Sequence, residues 1–348
     1  MSSFQVDSGV LAWSPIVGYH ETGPESRHLR LTMTSSAPSI VPCPPEWRPD
    51  ALEVLYRRIS TTTRPGLIAN ALAEAEAGRI DLSGLWVSCR RGRITGALLT
   101  QPLAGRAAAV WAPEVEPSWG RSALATSLIR TALNDLRSRG FRIAQALVDG
   151  SGSASATADL TRGGMPAITA LTYMRRETGR PLDFPGGRVP PALDWRGYTP
   201  ESEAEFRRVL QETYAGSLDM PELDGIRSLD YVIASHQAAG RFDPSRWRVG
   251  NLPDDPRTAG VLLLSEIPDR PSWEVAYLGL TPLARGRGIG RASLAYAIDL
   301  ARPHVSRLEL AVDDRNQPAR ALYDRAGFTP FDRRIVHLAI LNRAPDGV

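Results

Sequence analysis

Residues 273–328 read WEVAYLGLTPLARGRGIGRASLAYAIDLARPHVSRLELAVDDRNQPARALYDRAGF, and this stretch decides the fold. The apolar run 275–280 stops at Thr281-Pro282, which gives it the length and the end signal of a strand. RGRGIGR at 285–291 follows, and then 292–301, rich in the helix formers Ala and Leu. Residues 308–312 read as a second buried strand and 317–325 as a second helix, stopped by Gly327. The loop between the first strand and its helix is built to bind an anion. Gly286, Gly288 and Gly290 let the backbone approach a ligand without a Cβ in the way. Amides at a helix start point outward and share the positive end of the helix dipole. Arg285, Arg287 and Arg291 add full charges, so a phosphate or pyrophosphate is the expected guest.

A nucleotide P-loop would need Gly-Lys-Ser/Thr after the glycines, and the chain has no lysine at all. A dinucleotide fingerprint would need its first glycine directly after the strand; here several residues intervene, although Glu309 lies near the expected acidic offset. Dinucleotide binding therefore stays as a weak rival.

The pattern Arg285-x-x-Gly288-x-Gly290 resembles motif A of the GNAT superfamily of N-acetyltransferases. Asn316, Tyr323 and the closing Ala326-Gly327-Phe328 resemble the family's later motif, and Glu274 stands where many members hold a catalytic carboxylate. The resemblance covers roughly residues 255–340, and it is the ordered, correctly spaced set that makes it specific. It implies an α/β fold, a mixed sheet whose two parallel strands splay apart to admit the pantetheine arm of acetyl-CoA. It implies that backbone groups of Leu278, Gly279 and Leu280 pair with the pantetheine, with an amide near Leu278 facing the oxyanion. Residues Arg285, Gly286, Arg287, Gly288, Ile289, Gly290 and Arg291 would hold the pyrophosphate, and Asn316 would bond the cofactor or cap its helix. Glu274 would be the base, with Glu309 as fallback, since the family's other carboxylate position falls at Ala311. Tyr323 would be the acid. Acetyl-CoA is the implied co-substrate, a small-molecule or peptide amine the acceptor, and no metal is needed. A non-catalytic CoA-binding sensor or scaffold with the same fold is the alternative.

Composition is that of a soluble globular protein, 43% hydrophobic and 23% charged. The net charge is only +3 and the arginines are scattered, so no nucleic-acid partner is expected. The start shows no basic segment followed by an apolar core, no run is long enough to span a membrane, and Cys43 and Cys89 have no metal or redox spacing. A cytoplasmic protein is expected. The five histidines form no metal-ligand spacing.

At 348 residues the chain suits two domains. Residues 1–45 read as a partly irregular extension, with short strands at 10–13 and 29–33. A first domain over 46–180, a Pro/Gly linker at 181–194 and a second domain over 195–343 repeat one order of elements. The linker is assigned on composition. Helices are expected near 49–59, 67–77, 122–139, 201–213 and 225–239, and strands near 85–88, 94–100, 107–111, 143–148, 247–251 and 260–266. Laying Pro117 on Pro282 sets Ala123 and Ala125 on Gly288 and Gly290, and Ala109 on Glu274. Gly164 meets Gly327, and Leu160 falls where Tyr323 stands. The first copy thus reads as a degenerate GNAT-like domain, and the pair as either a monomeric internal pseudo-dimer or a homodimer subunit. Tyr214, Asp219, Glu222, His236 and Trp247 are the residues that could serve the acceptor, each more readily explained as a cap, surface or core residue.

Overall fold

The computed structural model describes residues 38–342, apart from 119, 151–153, 183–191, 253–256 and 269. The strands expected at 10–13 and 29–33, most of the extension, and the body of the 181–194 linker lie outside the described residues. The chain forms two compact units of mixed α/β structure. One takes residues 38–168 and 335–342, the other Thr169–Arg334.

The first unit runs β1 (Ser39–Pro42), α1 (Arg48–Leu55), α2 (Arg64–Glu76), β2 (Leu85–Arg90), β3 (Arg93–Leu103), β4 (Ala107–Val110), β5 (Glu114–Val115), α3 (Arg121–Ser138), β6 (Ile143–Asp149) and α4 (Ala154–Gly163). Next comes β7 (Ala167–Glu177), nearly all of it in the second unit. The second unit continues with β8 (Asp194–Gly197), α5 (Glu203–Tyr214), α6 (Leu229–Gln237), β9 (Trp247–Asn251), β10 (Thr258–Glu266), β11 (Ser272–Leu280), α7 (Ile289–Ala301), β12 (Arg307–Asp313) and α8 (Gln317–Arg325). Last is β13 (Thr329–Ile340), whose residues from Ile335 onward belong to the first unit.

Strand order in the second unit is β7-β12-β11-β10-β9-β8. β10, the continuous apolar run at its centre, is buried on both faces, as a strand covered on both sides must be. α7 closes one face over Leu262, Leu264, Val275, Leu308 and Leu310. α5 closes the other by Phe206, Val209, Leu210 and Thr213, spaced as one helical stripe. Phe206 stacks on the fully buried Trp247 at 5.2 Å. The two units part at 168/169 and again at 334/335, not within 181–194, because β7 is in register with β12 from Leu171↔Asp313 to Glu177↔Arg307.

Candidate active site

The site begins where two parallel strands separate. β11 pairs with β12 only at Ser272↔Arg307, Trp273↔Leu308 and Glu274↔Glu309. There β11 bulges: Leu264 faces Val275 and Leu263 faces Tyr277, so Ala276 is the extra residue. A bulge bends and twists its strand, and β12 keeps to β7 as far as Asp313↔Leu171. The strands therefore part beyond Glu274, and the edge of β11 at Leu278–Leu280 stays open to a cleft of about 1570 Å³.

The glycine loop forms one wall of this cleft. Gly286 and Gly288 adopt φ of 72° and 80°, the left-handed region that favours glycine, and Gly288 is the N-cap of α7. Among the described residues no protein carbonyl accepts from the amides of residues 286–290. Five consecutive unclaimed donors at a helix N-terminus make an anion seat. Gly290 looks across at Leu322 of α8, 3.5 Å from where a Cβ would stand. Arg287 and Arg291 line the same wall. Arg285 does something else: its guanidinium donates to the carbonyls of Leu280, Thr213, Ala215 and Gly216 at 2.7–3.1 Å. It ties the end of α5 to the end of β11.

Tyr277 folds along β11 over Gly279, and its hydroxyl is 2.9 Å from the Thr213 Oγ1, which itself donates to the Leu210 carbonyl. A Cβ on Gly279 would stand 2.5 Å from the Tyr277 ring, so this glycine makes room for the tyrosine. Tyr323 of α8 faces the cleft, and burial raises its phenol well above the ordinary range, with Asp219 and Tyr277 adding to the rise. It is therefore a proton donor throughout the neutral range.

Asn316 caps α8 by accepting from the Ala319 amide at 3.2 Å and donates to Asp219 at 2.9 Å. Asp219 also accepts from the Asp313 amide, and Asp313 Oδ2 accepts from the Met220 amide. Arg315 bridges Asp313 and Glu222. The α5–α6 loop is thus fastened to the β12–α8 turn. Burial pushes the Asp219 carboxyl up. Burial acts the same way on Asp313, but the bonds from Arg315 and Thr169 outweigh it and hold that carboxyl low.

Glu274 lies just upstream of the bulge and does not line the cleft itself. Glu274 is half-buried, and desolvation of its carboxyl, with the neighbouring Glu309, pushes it from 4.5 up to about 7. Among the acceptor candidates, only Asp219 lines the cleft. Glu222 is held by Arg315, Tyr214 and His236 bond each other at 3.0 Å, and Trp247 is in the core. Tyr277, Thr213 and Leu322 line the cleft without having been singled out in the sequence; the Tyr-x-Gly spacing at 277–279 was the available signal. Among the described residues no cluster of His, Cys, Asp or Glu is placed to hold a metal, and no helix is long and apolar enough to cross a membrane.

The first unit repeats this frame with other side chains. Its parallel ladder β4/β6 ends at Ala109↔Gln145, as β11/β12 ends at Glu274↔Glu309. Its helix α3 also starts from a left-handed glycine, Gly120, φ 85°. Gly120 is therefore the counterpart of Gly288, a correction to the placement of Ala123 there. The loop is three residues shorter, which the proline-anchored comparison missed. At this helix start stands a protein carboxylate: Asp159 of α4, 1% exposed, accepts from Arg121 at 2.7 Å, Ser122 at 3.2 Å and Arg162 at 3.2 Å.

Comparison with known proteins agrees with the geometry. Residues 211–328 match the acetyltransferase (GNAT) family. A mycothiol acetyltransferase of Thermomonospora curvata is 30% identical over 288 residues, 81% of this chain and 91% of that protein. One of Beutenbergia cavernae is 44% identical over 91 residues, 26% of this chain and 30% of its own length. The crystal structure of a GCN5-related N-acetyltransferase from Sphaerobacter thermophilus shares the fold, with a TM-score of 0.57 at 18% identity over 89% of this chain and 97% of that one. With a relative matched along nearly its whole length at that identity, the chain belongs to the GNAT acetyltransferase family and is an acetyltransferase.

Proposed function

We propose that the second unit moves an acetyl group from acetyl-CoA to a primary amine by direct attack through a tetrahedral intermediate. The observation that supports this best is the alignment along one cleft of an open strand edge, five unclaimed amides and a half-buried phenol. The residues fit the co-substrate. The edge at Leu278–Leu280 suits the pantetheine amides, the amides of 286–290 suit the pyrophosphate, and Arg287 and Arg291 supply countercharge. Arg285 and Asn316 act on the site through the elements they hold, since both are engaged within the protein.

The thioester brings an activated acyl carbon. An alkyl amine, pKa about 10.4, is almost wholly protonated at neutral pH and must lose a proton. With a carboxyl at about 7, Glu274 is a far better matched base than an ordinary glutamate. The amine lone pair forms the C–N bond, Glu274 takes the amine proton, an amide on the β11 edge near Leu278 steadies the oxyanion, and the C–S bond breaks. Tyr323 donates its hydrogen bond to the departing thiolate. The names of the full-length relatives support a small-molecule acceptor of the mycothiol type. In the first unit, Asp159 at the helix start and Ala109 in place of Glu274 support a copy without acetyl transfer. Unpaired Cys43 and Cys89 suit a reducing, cytoplasmic setting.

Calorimetric titration of the whole protein with acetyl-CoA tests the reading. One site per chain is expected, with acetyl transfer to an amine panel followed by thiol release. No binding overturns the function, and two equal sites overturn the reading of the first unit.

A further inference from the structure

The start of α3 in the first unit is built like the start of α7, with one difference: an anion belonging to the chain is already there. Gly120 and Gly288 are both left-handed N-caps, which sets Ser122 on Gly290. α4 and α8 are both followed by a left-handed glycine, Gly164 and Gly327. In each, the next amide donates back to the helix, Met165 to Leu160 at 2.9 Å and Phe328 to Tyr323 at 3.0 Å. That sets Leu160 on Tyr323 and therefore Asp159 on Leu322. The two correspondences come from different elements and agree in space. A Cβ on Gly290 would stand 3.5 Å from the Leu322 side chain, and the Ser122 hydroxyl lies 3.2 Å from Asp159. Where the second unit has an apolar side chain on the wall of an open cleft, the first has a carboxylate that is 1% exposed.

Three donors converge on Asp159. Arg121 Nη1 donates to its Oδ2 at 2.7 Å, and the Ser122 hydroxyl and Arg162 Nη1 donate to its Oδ1 at 3.2 Å each. α3 is 18 residues long, so its start also carries the positive end of a full helix dipole. One carboxylate thus answers two guanidiniums and a helix terminus, and it leaves a donor over: Arg121 Nη2 is buried and has no partner among the described residues. A buried donor left unmade is costly. A carboxylate has two oxygens, and both are engaged here; a phosphate has more, and a guanidinium holds it through two parallel bonds. We propose that the start of α3 is a phosphate seat that the chain keeps filled with Asp159. While the carboxylate is there, the first unit takes no CoA phosphate at this helix; without it, the seat takes a free phosphate. The seat stands on its own residues and does not depend on acetyl transfer by the second unit.

The test uses inorganic phosphate on the whole chain, parent and Asp159→Ala, each with saturating CoA so that the glycine loop before α7 is occupied. Titration calorimetry is expected to show one phosphate per chain in the variant, bound roughly tenfold or more tightly than in the parent. The melting temperature of the variant is expected to rise with phosphate while that of the parent does not change. Adding Arg121→Gln to the variant is expected to abolish the binding, which separates the seat from surface arginines. No phosphate bound by Asp159→Ala, equal binding by parent and variant, or binding that survives Arg121→Gln overturns the proposal. If Asp159→Ala does not fold, hydrogen exchange on the parent decides: phosphate and CoA are expected to leave exchange in the first turn of α3 unchanged, and slowing there overturns the proposal. A parent that binds no CoA would refute the function proposed for the second unit and leave the phosphate comparison to decide the seat.

Discussion

Replacing Glu274 by glutamine is expected to push stability and activity in opposite directions. The carboxyl rises from 4.5 in an exposed chain to about 7 in the folded protein, chiefly through burial. For a group raised on folding, its contribution to stability is fully present below the unfolded value and is lost as pH rises through the folded one. At about 1.4 kcal/mol per pH unit, two and a half units amount to about 3 kcal/mol lost between about pH 4.5 and pH 7. Glutamine cannot ionise and escapes that loss. At about pH 8.5 the variant should be more stable by up to about 3 kcal/mol, a rise in Tm of roughly 5–10 °C for a unit of this size, and near pH 4 the two should agree. Differential scanning calorimetry across this range reads the effect. Acetyl transfer should fall by roughly 10²- to 10⁴-fold, the usual worth of a general base. A variant no more stable than the parent at high pH would mean that water reaches the carboxyl and its rise is not real. A variant within a few fold of parental activity would remove Glu274 from the mechanism whatever its stability.

Tyr323→Phe should lower kcat by roughly 10²-fold with little change in acetyl-CoA affinity, and the parent's rate should show no basic limb from this phenol below about pH 10; steady-state pH profiles check both. Gly279→Ala should cost roughly 1–3 kcal/mol and weaken acetyl-CoA, since its Cβ would lie 2.5 Å from the Tyr277 ring and 2.8 Å from the Thr213 Cβ; melting and titration calorimetry measure these. Asp159→Ala strips the partner from Arg121 and should destabilise the first unit by roughly 3–5 kcal/mol while acetyl-CoA affinity of the second unit is unchanged; a two-transition thermogram reads it.

The stretch from 273 to 328 was legible because its strand, loop and helices each carry a local signal: an apolar run closed by Thr-Pro, glycines at a helix start, and an Asn cap with a Gly stop. Side-chain destinations were not legible. Arg285 looks like a phosphate ligand in sequence, yet it serves four backbone carbonyls that are brought together only by the fold. The pairing of Glu274 with Glu309 depends on a parallel register between residues 35 positions apart, and Asp219 depends on where the α5–α6 loop is pinned. β7 and β13 were missed as strands. Both mix apolar and polar residues without a strict period of two, their paired arginines mimic loop composition, and no local cue shows that 335–342 returns to the first unit.

That return has a consequence for how the protein is made. The first unit takes Leu341, whose amide donates to the Arg142 carbonyl at 2.8 Å, and His337, whose Nδ1 donates to the Met165 carbonyl at 2.8 Å. Domains are usually completed in order as a chain leaves the ribosome, the N-terminal one first. Here the first unit, most of which is made before the second, waits for residues 335–342 to emerge, while the unit proposed to carry the chemistry can close beforehand. Cutting the gene between the two apparent halves would separate each sheet from a strand it uses, whereas a nick in the finished protein within 183–191 would leave two fragments still laced together.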